Sequence, residues 1–366
     1  MNMKLKHRDH FHGSDLEKIE AIYGIKKEEI TSFSANVNPL GLSPLLKQTL
    51  CEHIDVITAY PDRDYVSLKK SIADYCDTEP GNIIVGNGTT ELISLIIQAK
   101  KPRRALIVAP TYSEYERSLS VEGASSYYYP LDETHAFQMQ IDDFLQSLNA
   151  DIDFLILCNP NNPTSTLIDP KNMRRILNEC MKHHIFVMVD ETYMEFVADV
   201  HAFTAIALTA YYNNLIVLRG TSKFFASPGL RLGYAVTGSQ ELIRYINTCK
   251  NPWMINSLAA AAGEILFSDR EYIEKTRELI LSERSRMVQT LNDSGYYHIY
   301  EPSANFMLAR ILKPGITSEF LFDKAIREKM MIRDCSTFPF LDNSYIRFCV
   351  MDPDSNTHLM QCLTNL

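Results

Sequence analysis

The pattern of apolar and polar positions predicts an α/β domain followed by a smaller α+β domain. Between residues 82 and 236, short runs of apolar residues alternate with amphipathic stretches of helical length. An apolar run of about five residues is typical of a strand that is buried on both faces of a parallel sheet. The predicted strands are Ile83–Val85, Ala105–Ala109, Phe154–Cys158, Phe186–Val189, Leu215–Leu218 and Leu232–Val236.

The flanking segments predict helices before residue 82 and a mixture of helices and strands after residue 250. Helices are expected after the capping-box pattern Ser14-Asp15-Leu16-Glu17, over 43–54, 65–76, 317–328 and 355–364, and as a long pair between 255 and 295. Strands are expected near 305–310, 330–333 and 345–350. We therefore predict three parts: an arm and helix over 1–30 that packs with the small domain, a large ligand-binding domain over 31–250, and a small C-terminal domain over 251–366.

Composition and charge exclude several classes of protein. The 366 residues include 36 Lys and Arg against 45 Asp and Glu, a net charge of −9 that argues against a nucleic-acid partner. No run approaches the ~20 apolar residues of a membrane-spanning helix, and the first 15 residues lack the apolar core of a signal peptide. The eight cysteines form no CxxC pair, so we expect reduced thiols, no metal site and a cytoplasmic protein.

Chemically useful side chains follow several of the predicted strands, at the edge where ligands gather in open α/β sheets. Gly86-Asn87-Gly88-Thr89-Thr90 follows the first strand, and small residues there let backbone N–H groups reach a phosphate at a helix N-terminus. Asn159-Pro160-Asn161-Asn162-Pro163-Thr164 follows the third and can present an amide. Asp190 follows the fourth, where a buried carboxylate is costly unless it meets a cation.

Lys223 follows the fifth strand, between Ser222 and two phenylalanines. Alone, it would be interpreted as an ordinary surface lysine. Beside a phosphate-binding turn, an amide and a buried carboxylate, a lysine that can lose its proton meets the requirements of pyridoxal 5′-phosphate (PLP). These are a nucleophile for the aldehyde, a partner for the ring nitrogen and anchors for the phosphate. PLP is therefore the predicted cofactor.

The ordered motifs NPNNPT, D-x-x-Y, S-K and P-G-L-R-L-G-Y resemble those of the fold-type I PLP enzymes, the class I and II aminotransferase superfamily, over nearly the whole chain. The resemblance implies the fold-type I architecture, with a mostly parallel central sheet in the PLP-binding large domain. It implies that Lys223 is the Schiff-base lysine and that Asp190 is the partner of the pyridine nitrogen. The other cofactor contacts that it implies are Asn162 and Tyr193 at the ring hydroxyl, Gly88, Thr89, Thr90, Thr221, Ser222 and Arg231 around the phosphate, Tyr112 stacked on the ring, and Tyr60 reaching the phosphate from the second subunit of a homodimer.

Two positions depart from the usual pattern of this superfamily. Gly220 stands where many relatives carry Ser or Thr three residues before the lysine, so a phosphate-binding hydroxyl is missing there, with Thr221 or Ser222 as possible substitutes. Ser165 stands where NPNNPTG ends in glycine, the residue that tolerates left-handed backbone. Neither departure removes the lysine or the carboxylate on which the chemistry depends.

Two groups within the superfamily are most similar: the L-threonine-O-3-phosphate decarboxylases of cobalamin biosynthesis and the histidinol-phosphate aminotransferases. The decarboxylases are favoured by His12-Gly13, by Phe33-Ser34-Ala35-Asn36-Val37-Asn38-Pro39-Leu40-Gly41, and by Ile332-Arg333-Asp334-Cys335-Ser336 before Phe338-Pro339. The aminotransferases typically carry N-E-N-P in the second of these, and A-D-E where this chain has Thr89-Thr90-Glu91. The resemblance thus favours a PLP-dependent carboxy-lyase.

The substrate that this resemblance implies carries an α-carboxylate and a phosphate ester. Arg347, in a predicted strand, matches the carboxylate-binding arginine of the family, a role that a planar guanidinium suits. The substrate phosphate is expected to meet Arg333, His12, Ser34 and Asn36. Two alternatives stay open, because Arg333 could instead pair with the neighbouring Asp334 and His12 could belong to a disordered arm.

Several functions remain open at this point. A decarboxylase would convert L-threonine O-3-phosphate to 1-aminopropan-2-ol O-phosphate, or L-serine O-phosphate to ethanolamine phosphate, and one methyl group distinguishes substrates by only about 1–3 kcal/mol. A histidinol-phosphate aminotransferase-like enzyme is the first alternative. A non-catalytic scaffold or regulator with the same fold is the second, and the intact Lys223 and Asp190 argue against it.

Overall fold

A computed structural model describes residues 15–366 of the chain. The strands are β1 Thr31–Ser32, β2 Ile83–Gly86, β3 Arg104–Ala109, β4 Ser125–Pro130, β5 Phe154–Cys158, β6 Phe186–Asp190, β7 Leu215–Gly220, β8 Gly233–Val236, β9 Tyr297–Ile299, β10 Phe306–Ile311, β11 Met330–Met331, β12 Arg333–Asp334 and β13 Tyr345–Cys349. The α-helices are α1 Leu16–Tyr23, α2 Pro44–Glu52, α3 Val66–Cys76, α4 Thr89–Lys100, α5 Glu114–Val121, α6 Ile141–Ser147, α7 Pro170–Lys182, α8 Val200–Phe203, α9 Gln240–Cys249, α10 Ser257–Leu266, α11 Arg270–Asp293, α12 Ser318–Arg327 and α13 Pro353–Thr364. Short 3₁₀ turns occupy Lys27–Glu29, Ile54–Thr58, Pro80–Asn82, Glu133–His135, Met194–Phe196, Ile206–Ala210 and Pro228–Leu230.

The large sheet has seven strands in the order β2-β8-β7-β6-β5-β3-β4. The five strands from β7 to β4 are parallel to one another, whereas β8 runs antiparallel to both of its neighbours. Every residue of β5, β6 and β7 is buried, because helices cover both faces of the sheet. The predicted α/β architecture and its six apolar strands are confirmed, with ends shifted by one or two residues.

Three strands of the structure were not predicted, namely the two-residue β1, which pairs with β11, and the two edge strands β4 and β9. The edge strand β4 has the sequence SSYYYP and is only partly buried, so it lacks the continuous apolar run that marked the other strands of this sheet. The short β9 holds only three residues, Tyr297–Ile299, of which the central His298 is exposed. Both strands lie at a sheet edge, where one side needs no apolar cover and the sequence signal is correspondingly weak.

The C-terminal region forms a separate antiparallel sheet, in the order β12-β13-β10-β9, with α11, α12 and α13 packed around it. The predicted pair of long helices is confirmed as α10 and α11, and the predicted strands and helices of this region are present. The N-terminal segment contacts this region, since β1 pairs in parallel with β11 and Tyr23 packs against Phe322. Helix α1 begins at Leu16 with Asp15 as its N-cap, and Ser14 lies outside the described residues.

The layers bring the ends of β5, β6 and β7 together with the segment over residues 33–38 and with β13 of the small sheet. Backbone hydrogen bonds connect these segments: Asn38 N donates to Lys223 O (3.0 Å), and Cys349 N donates to Phe33 O (2.8 Å). The site described next lies at this junction. Over residues 15–366, no helix combines the length and the apolar character needed to cross a bilayer.

Candidate active site

Lys223 lies in the loop that follows β7 and is held from two directions. Its Nζ donates a hydrogen bond to Ala35 O at 2.7 Å, and its own carbonyl accepts one from Asn38 N. Loss of water around the ammonium group, reinforced by the nearby charge of Arg347, lowers the pKa of Lys223 to about 8. An amine with this pKa is partly neutral at physiological pH and can therefore act as a nucleophile.

Asp190 ends β6 with both carboxylate oxygens engaged. Oδ1 accepts hydrogen bonds from Thr192 N (2.9 Å) and Thr192 Oγ1 (2.5 Å), and Oδ2 accepts one from the Tyr115 hydroxyl at 2.7 Å. These donors are neutral, so the cation expected beside this buried carboxylate is not supplied by them. The sequence analysis missed Tyr115, which lies in the first turn of α5 and whose ring meets that of Tyr112 edge-on at 5.6 Å.

Arg347 projects from β13 and joins the small sheet to the large domain. Its guanidinium donates from Nη1 to Asn162 Oδ1 and from Nη2 to Ser34 O, the latter at 2.6 Å. The Tyr193 hydroxyl accepts a long hydrogen bond from Asn36 Nδ2 at 3.4 Å, and burial raises the pKa of Tyr193 well above its usual range. The structure thus brings five predicted site residues together, namely Ser34, Asn36, Asn162, Tyr193 and Arg347.

The turn between β2 and α4 offers bare backbone to an anion. Gly88 is the N-cap of α4 and has a φ of +82°, and a Cβ at this position would stand 2.3 Å from Arg231 Nη2. The first N–H groups of α4, at Thr89 and Thr90, lie beside that guanidinium, which is an arrangement suited to phosphate. Tyr112 hydrogen-bonds to Thr90, and burial raises the pKa of Tyr112 to about 12.

The structure gives a steric reason for glycine at position 220. A Cβ on Gly220 would stand 3.0 Å from Thr89 Cγ2, closer than ordinary van der Waals contact. Of the two predicted substitutes for the missing hydroxyl, Thr221 already donates from Oγ1 to Leu232 O at 3.3 Å, while Ser222 is half-buried. A side chain at position 220 would therefore compete for space with the methyl group of Thr89.

Arg333 and Arg347 are direct partners across the antiparallel pair of β12 and β13. Loss of water and the charge of Arg347 lower the pKa of Arg333 to about 10. Arg333 also lies over the Phe338 ring at 5.3 Å and donates to Thr337 Oγ1. The suggested partner Asp334 interacts with Arg333 electrostatically, but its Oδ1 accepts hydrogen bonds from Ser318 and Ser336. Two guanidiniums thus face the same space.

Two predicted site residues are not brought into the site of the single chain. Tyr60 is 79% exposed, and its ring lies 4.7 Å from that of Trp253 on the surface. His12 lies outside the described residues. Within residues 15–366, no cluster of His, Cys, Asp or Glu has the arrangement of a metal site.

Buried polar atoms at this junction fit a polar ligand. Among the buried side-chain atoms of residues 15–366 that have no hydrogen-bond partner, four lie around Arg347 and Asn36, namely Ser34 Oγ, Asn36 Oδ1, Asn305 Oδ1 and Arg347 Nε. The sequence analysis missed Asn305, whose Nδ2 donates to Asn36 O at 3.0 Å, because Asn305 precedes a strand and only strand ends were searched. With the glycine-lined turn and the lysine of lowered pKa, this set of hydrogen-bond donors and acceptors fits PLP together with a substrate.

Comparison with known proteins decides the family. The model of the family described as aminotransferase class I and II matches residues 28–363. The chain belongs to this family. It is a PLP-dependent enzyme, and its cofactor is pyridoxal 5′-phosphate. The predicted fold-type I architecture is confirmed by the same match and by solved structures of relatives.

Two curated relatives and two solved structures show where this member of the aminotransferase class I and II family lies. A Caldanaerobacter subterraneus subsp. tengcongensis protein with the provisional name threonine-phosphate decarboxylase is 37% identical, over 91% of this chain and 89% of its own length. The threonine-phosphate decarboxylase of Salmonella typhimurium is 33% identical, over 97% and 96%. The structure of the Clostridium acetobutylicum histidinol-phosphate aminotransferase is similar with a TM-score of 0.85 and 33% identity, covering 91% and 97%. That of the Porphyromonas gingivalis L-threonine-O-3-phosphate decarboxylase has a TM-score of 0.79 and 26% identity, covering 90% and 97%.

Proposed function

We propose that this enzyme decarboxylates L-threonine O-3-phosphate, giving CO₂ and 1-aminopropan-2-ol O-phosphate, the linker of the nucleotide loop in cobamide synthesis. L-Serine O-phosphate, which would give ethanolamine phosphate, is the variant substrate. The observation that carries the proposal is the pair formed by Arg333 and Arg347 across β12 and β13. The decarboxylase names of the two curated relatives support it.

Two like charges that face each other across a strand pair repel and destabilise the protein. Here Arg347 is buried and Arg333 is partly buried, and the charge of Arg347 is one of the causes that lower the pKa of Arg333. A substrate with two anionic groups offsets this repulsion, since each guanidinium can bind one of them. Threonine phosphate carries a carboxylate and a phosphate on a short carbon skeleton, so we assign Arg347 to the first and Arg333, with Ser34, Asn36 and His12, to the second.

The residues around Lys223 are assigned to the cofactor, which when bound supplies an electron sink for the bond that breaks. Lys223 would hold its aldehyde carbon, Asp190 would pair with the ring nitrogen, and Asn162 and Tyr193 would bind the ring hydroxyl. The N–H groups of α4 and the side chains at the phosphate complete the set, namely Gly88, Thr89, Thr90, Thr221, Ser222 and Arg231, with Tyr112 against the ring. The ring nitrogen would supply the cation that the neutral neighbours of Asp190 do not provide.

The protein groups then determine which bond breaks and where the proton goes. Arg347 holds the carboxylate at the Asn162 side of the site, where Ser34 O and Asn162 Oδ1 fix its guanidinium. Loss of CO₂ leaves an electron pair at the substrate carbon, and a proton must replace the carboxylate. Lys223 Nζ can deliver it, since with a pKa of about 8 it carries and releases a proton near neutral pH.

The second candidate function is transamination of the histidinol-phosphate aminotransferase kind, favoured by the similarity to the Clostridium acetobutylicum structure. The same lysine would then remove the substrate's α-proton instead of delivering one. Orientation of the substrate decides between the two reactions, and a difference of ~1.4 kcal/mol between orientations changes their ratio tenfold.

A single incubation separates these functions. PLP-loaded protein is mixed with L-threonine O-3-phosphate, or with L-serine O-phosphate, in the absence of any keto acid, with the Lys223→Ala variant as the control. We expect many turnovers of CO₂ and amino-alcohol phosphate, faster with the threonine compound. Absence of CO₂ together with amino transfer from histidinol phosphate to 2-oxoglutarate overturns the decarboxylase proposal in favour of the aminotransferase.

We also propose a homodimer in which Tyr60 serves the partner's cofactor phosphate. Its support is an exposed apolar surface around residues 40–66, which we call the Tyr60 surface. Its members are Leu40, Leu42, Leu45, Ile54, Ile57, Tyr60, Val66 and Trp253, each at least 40% exposed. Apolar area of this extent is typical of a protein interface.

A mixing experiment tests the shared site. Tyr60→Ala and Lys223→Ala subunits are each expected to be impaired, the first in cofactor retention and the second in catalysis. A mixed dimer restores one site that has both Tyr60 and Lys223, so activity should rise above that of either variant. Failure to recover activity after subunit exchange would show that Tyr60 does not act across the interface.

A further inference from the structure

Ser165 holds a backbone conformation that normally favours glycine. Its φ is +60°, it is fully buried, and its N–H donates to Asn161 O at 2.7 Å in the turn that carries Asn162. A side chain in the left-handed region is disfavoured by contact with its own backbone. The serine must therefore gain something from its hydroxyl that glycine would not provide.

The Ser165 hydroxyl binds the segment that leads into the small sheet. Its Oγ accepts hydrogen bonds from Ser303 N (3.1 Å) and Ala304 N (2.9 Å), while its carbonyl oxygen accepts a second bond from Ser303 N (2.9 Å). Glycine could keep the carbonyl contact but not the two to Oγ. The Ala304 N–H, which is buried, would then lose the partner that Oγ provides.

The residues next to this contact touch the substrate side of the site. Asn305 donates to Asn36 O, and its Oδ1 is one of the unpartnered buried atoms. Phe306 lies 5.5 Å from the Arg347 guanidinium, and its ring meets that of Tyr193 edge-on at 4.8 Å. A displacement of residues 303–304 would therefore reach Asn36 and Arg347 within two residues.

We infer that Ser165 is a positioning residue that ties residues 303–305 of the small domain to the cofactor turn, so that Asn36 and Arg347 are set for the substrate before it binds. The identity of that substrate rests on the proposed function, but the tie itself does not. Since the hydroxyl acts on the substrate side and not on Lys223 or Asp190, its loss should weaken substrate binding more than it slows the chemical step.

The test compares Ser165→Gly with Ser165→Ala in the PLP-loaded protein. Both variants lose Oγ, but glycine also removes the strain of the positive φ, so Ser165→Gly should be the more stable of the two. We expect KM for L-threonine O-3-phosphate to rise about tenfold in both, equivalent to ~1.4 kcal/mol, with kcat within twofold and the visible absorbance of the cofactor unchanged. If the two variants have equal KM values but unequal stabilities, Ser165 acts by positioning. If the effect were purely structural, the less stable variant would have the higher KM.

Hydrogen exchange supplies a readout that needs no activity. The amide of Ala304 should exchange faster in both variants than in the wild type. Its exchange should not change in Thr237→Val, which removes another buried hydroxyl, one that donates to Leu215 O at the start of β7. Unchanged exchange at Ala304, or a wild-type KM in Ser165→Gly, overturns the inference. If the wild type does not turn over threonine phosphate, the proposed function fails, and the exchange comparison still decides the role of Ser165.

Discussion

Two groups of charges, one at the ends of β6 and β7 and the other on β12 and β13, are satisfied in opposite ways. Glu191 and Arg219 form one group, in which Arg219 donates from Nε and Nη2 to Glu191 Oε2 at 3.0 and 2.8 Å. Glu195 completes it at 3.4 Å from Arg219 Nη1. In the other group, Arg347 donates to the neutral oxygens of Asn162 and Ser34 and faces a second guanidinium.

The pKa values of Arg219 and Arg333 move in opposite directions. Burial opposes the charge of Arg219, but Glu195 and Glu191 outweigh it and raise its pKa. Burial and the charge of Arg347 both lower the pKa of Arg333. The first group pairs opposite charges within the chain and is structural. In the second, two arginines face each other across a strand pair, an arrangement that favours an anionic ligand.

The largest expected effect is that of Lys223→Ala. We expect the visible absorbance of the protein-bound cofactor to disappear and decarboxylation to fall by at least ~10³-fold, because both the attachment point and the proton donor are lost. Absorption spectra and CO₂ release measure the two effects. Lys182→Ala, which removes a lysine of an exposed ion pair with Glu179, is the control and should leave both unchanged.

Arg219→Met tests the structural group. It leaves Glu191 and Glu195 buried without their cation, so the free energy of unfolding should fall by about 3–5 kcal/mol, measured by urea unfolding. The matched control is Arg175→Met, which breaks an exposed ion pair with Asp142 and should cost less than ~1 kcal/mol. Equal losses in the two variants would contradict the distinction drawn between buried and exposed pairs.

Arg347→Met makes the same substitution in the ligand-facing group, where we expect a small effect on stability and a large one on activity. It removes a buried charge that repels Arg333, and this gain offsets the lost hydrogen bonds to Asn162 and Ser34. We expect the free energy of unfolding of the ligand-free protein to change by less than ~1.5 kcal/mol, but kcat/KM for threonine phosphate to fall about 100-fold. A loss of stability as large as that of Arg219→Met would place Arg347 in the structural group.

The smallest effect concerns the pH dependence of cofactor uptake by the cofactor-free protein. Raising the pH removes the proton from Lys223, and only the neutral amine can attack an aldehyde. With a pKa of about 8, the uptake rate should rise about tenfold per pH unit below 8 and level off above it. Stopped-flow absorbance at constant ionic strength measures this. A rate that keeps rising to pH 10 would mean that burial does not shift this lysine.

The sequence predicted those parts of the fold and site that depend on local patterns. Buried strands such as Phe186–Val189 are apolar throughout, and a lysine, a carboxylate and an asparagine at strand ends could be assigned because ligands gather there. The half-exposed β4 had no such pattern. Tyr115, Asn305 and the ion pair of Glu191 with Arg219 are polar contacts between distant segments, which residue type and spacing do not reveal.

Ser165 and Gly220 also show that contacts between distant segments cannot be inferred from residue type and spacing. The sequence identified both as unusual but gave no reason for either. The reasons are a hydrogen bond to residues 303–304 and the methyl group of Thr89, which only the three-dimensional arrangement brings within reach.

The contact between Gly220 and Thr89 has a consequence for how this enzyme can change over evolutionary time. A serine at 220 would place its Cβ 3.0 Å from Thr89 Cγ2, so the threonine side chain would have to move by a few tenths of an ångström or be replaced by a smaller residue. The two positions are therefore coupled: a smaller residue at 89, such as alanine or serine, makes room for a side chain at 220. A hydroxyl at 220 is accommodated more readily after such a replacement than before it.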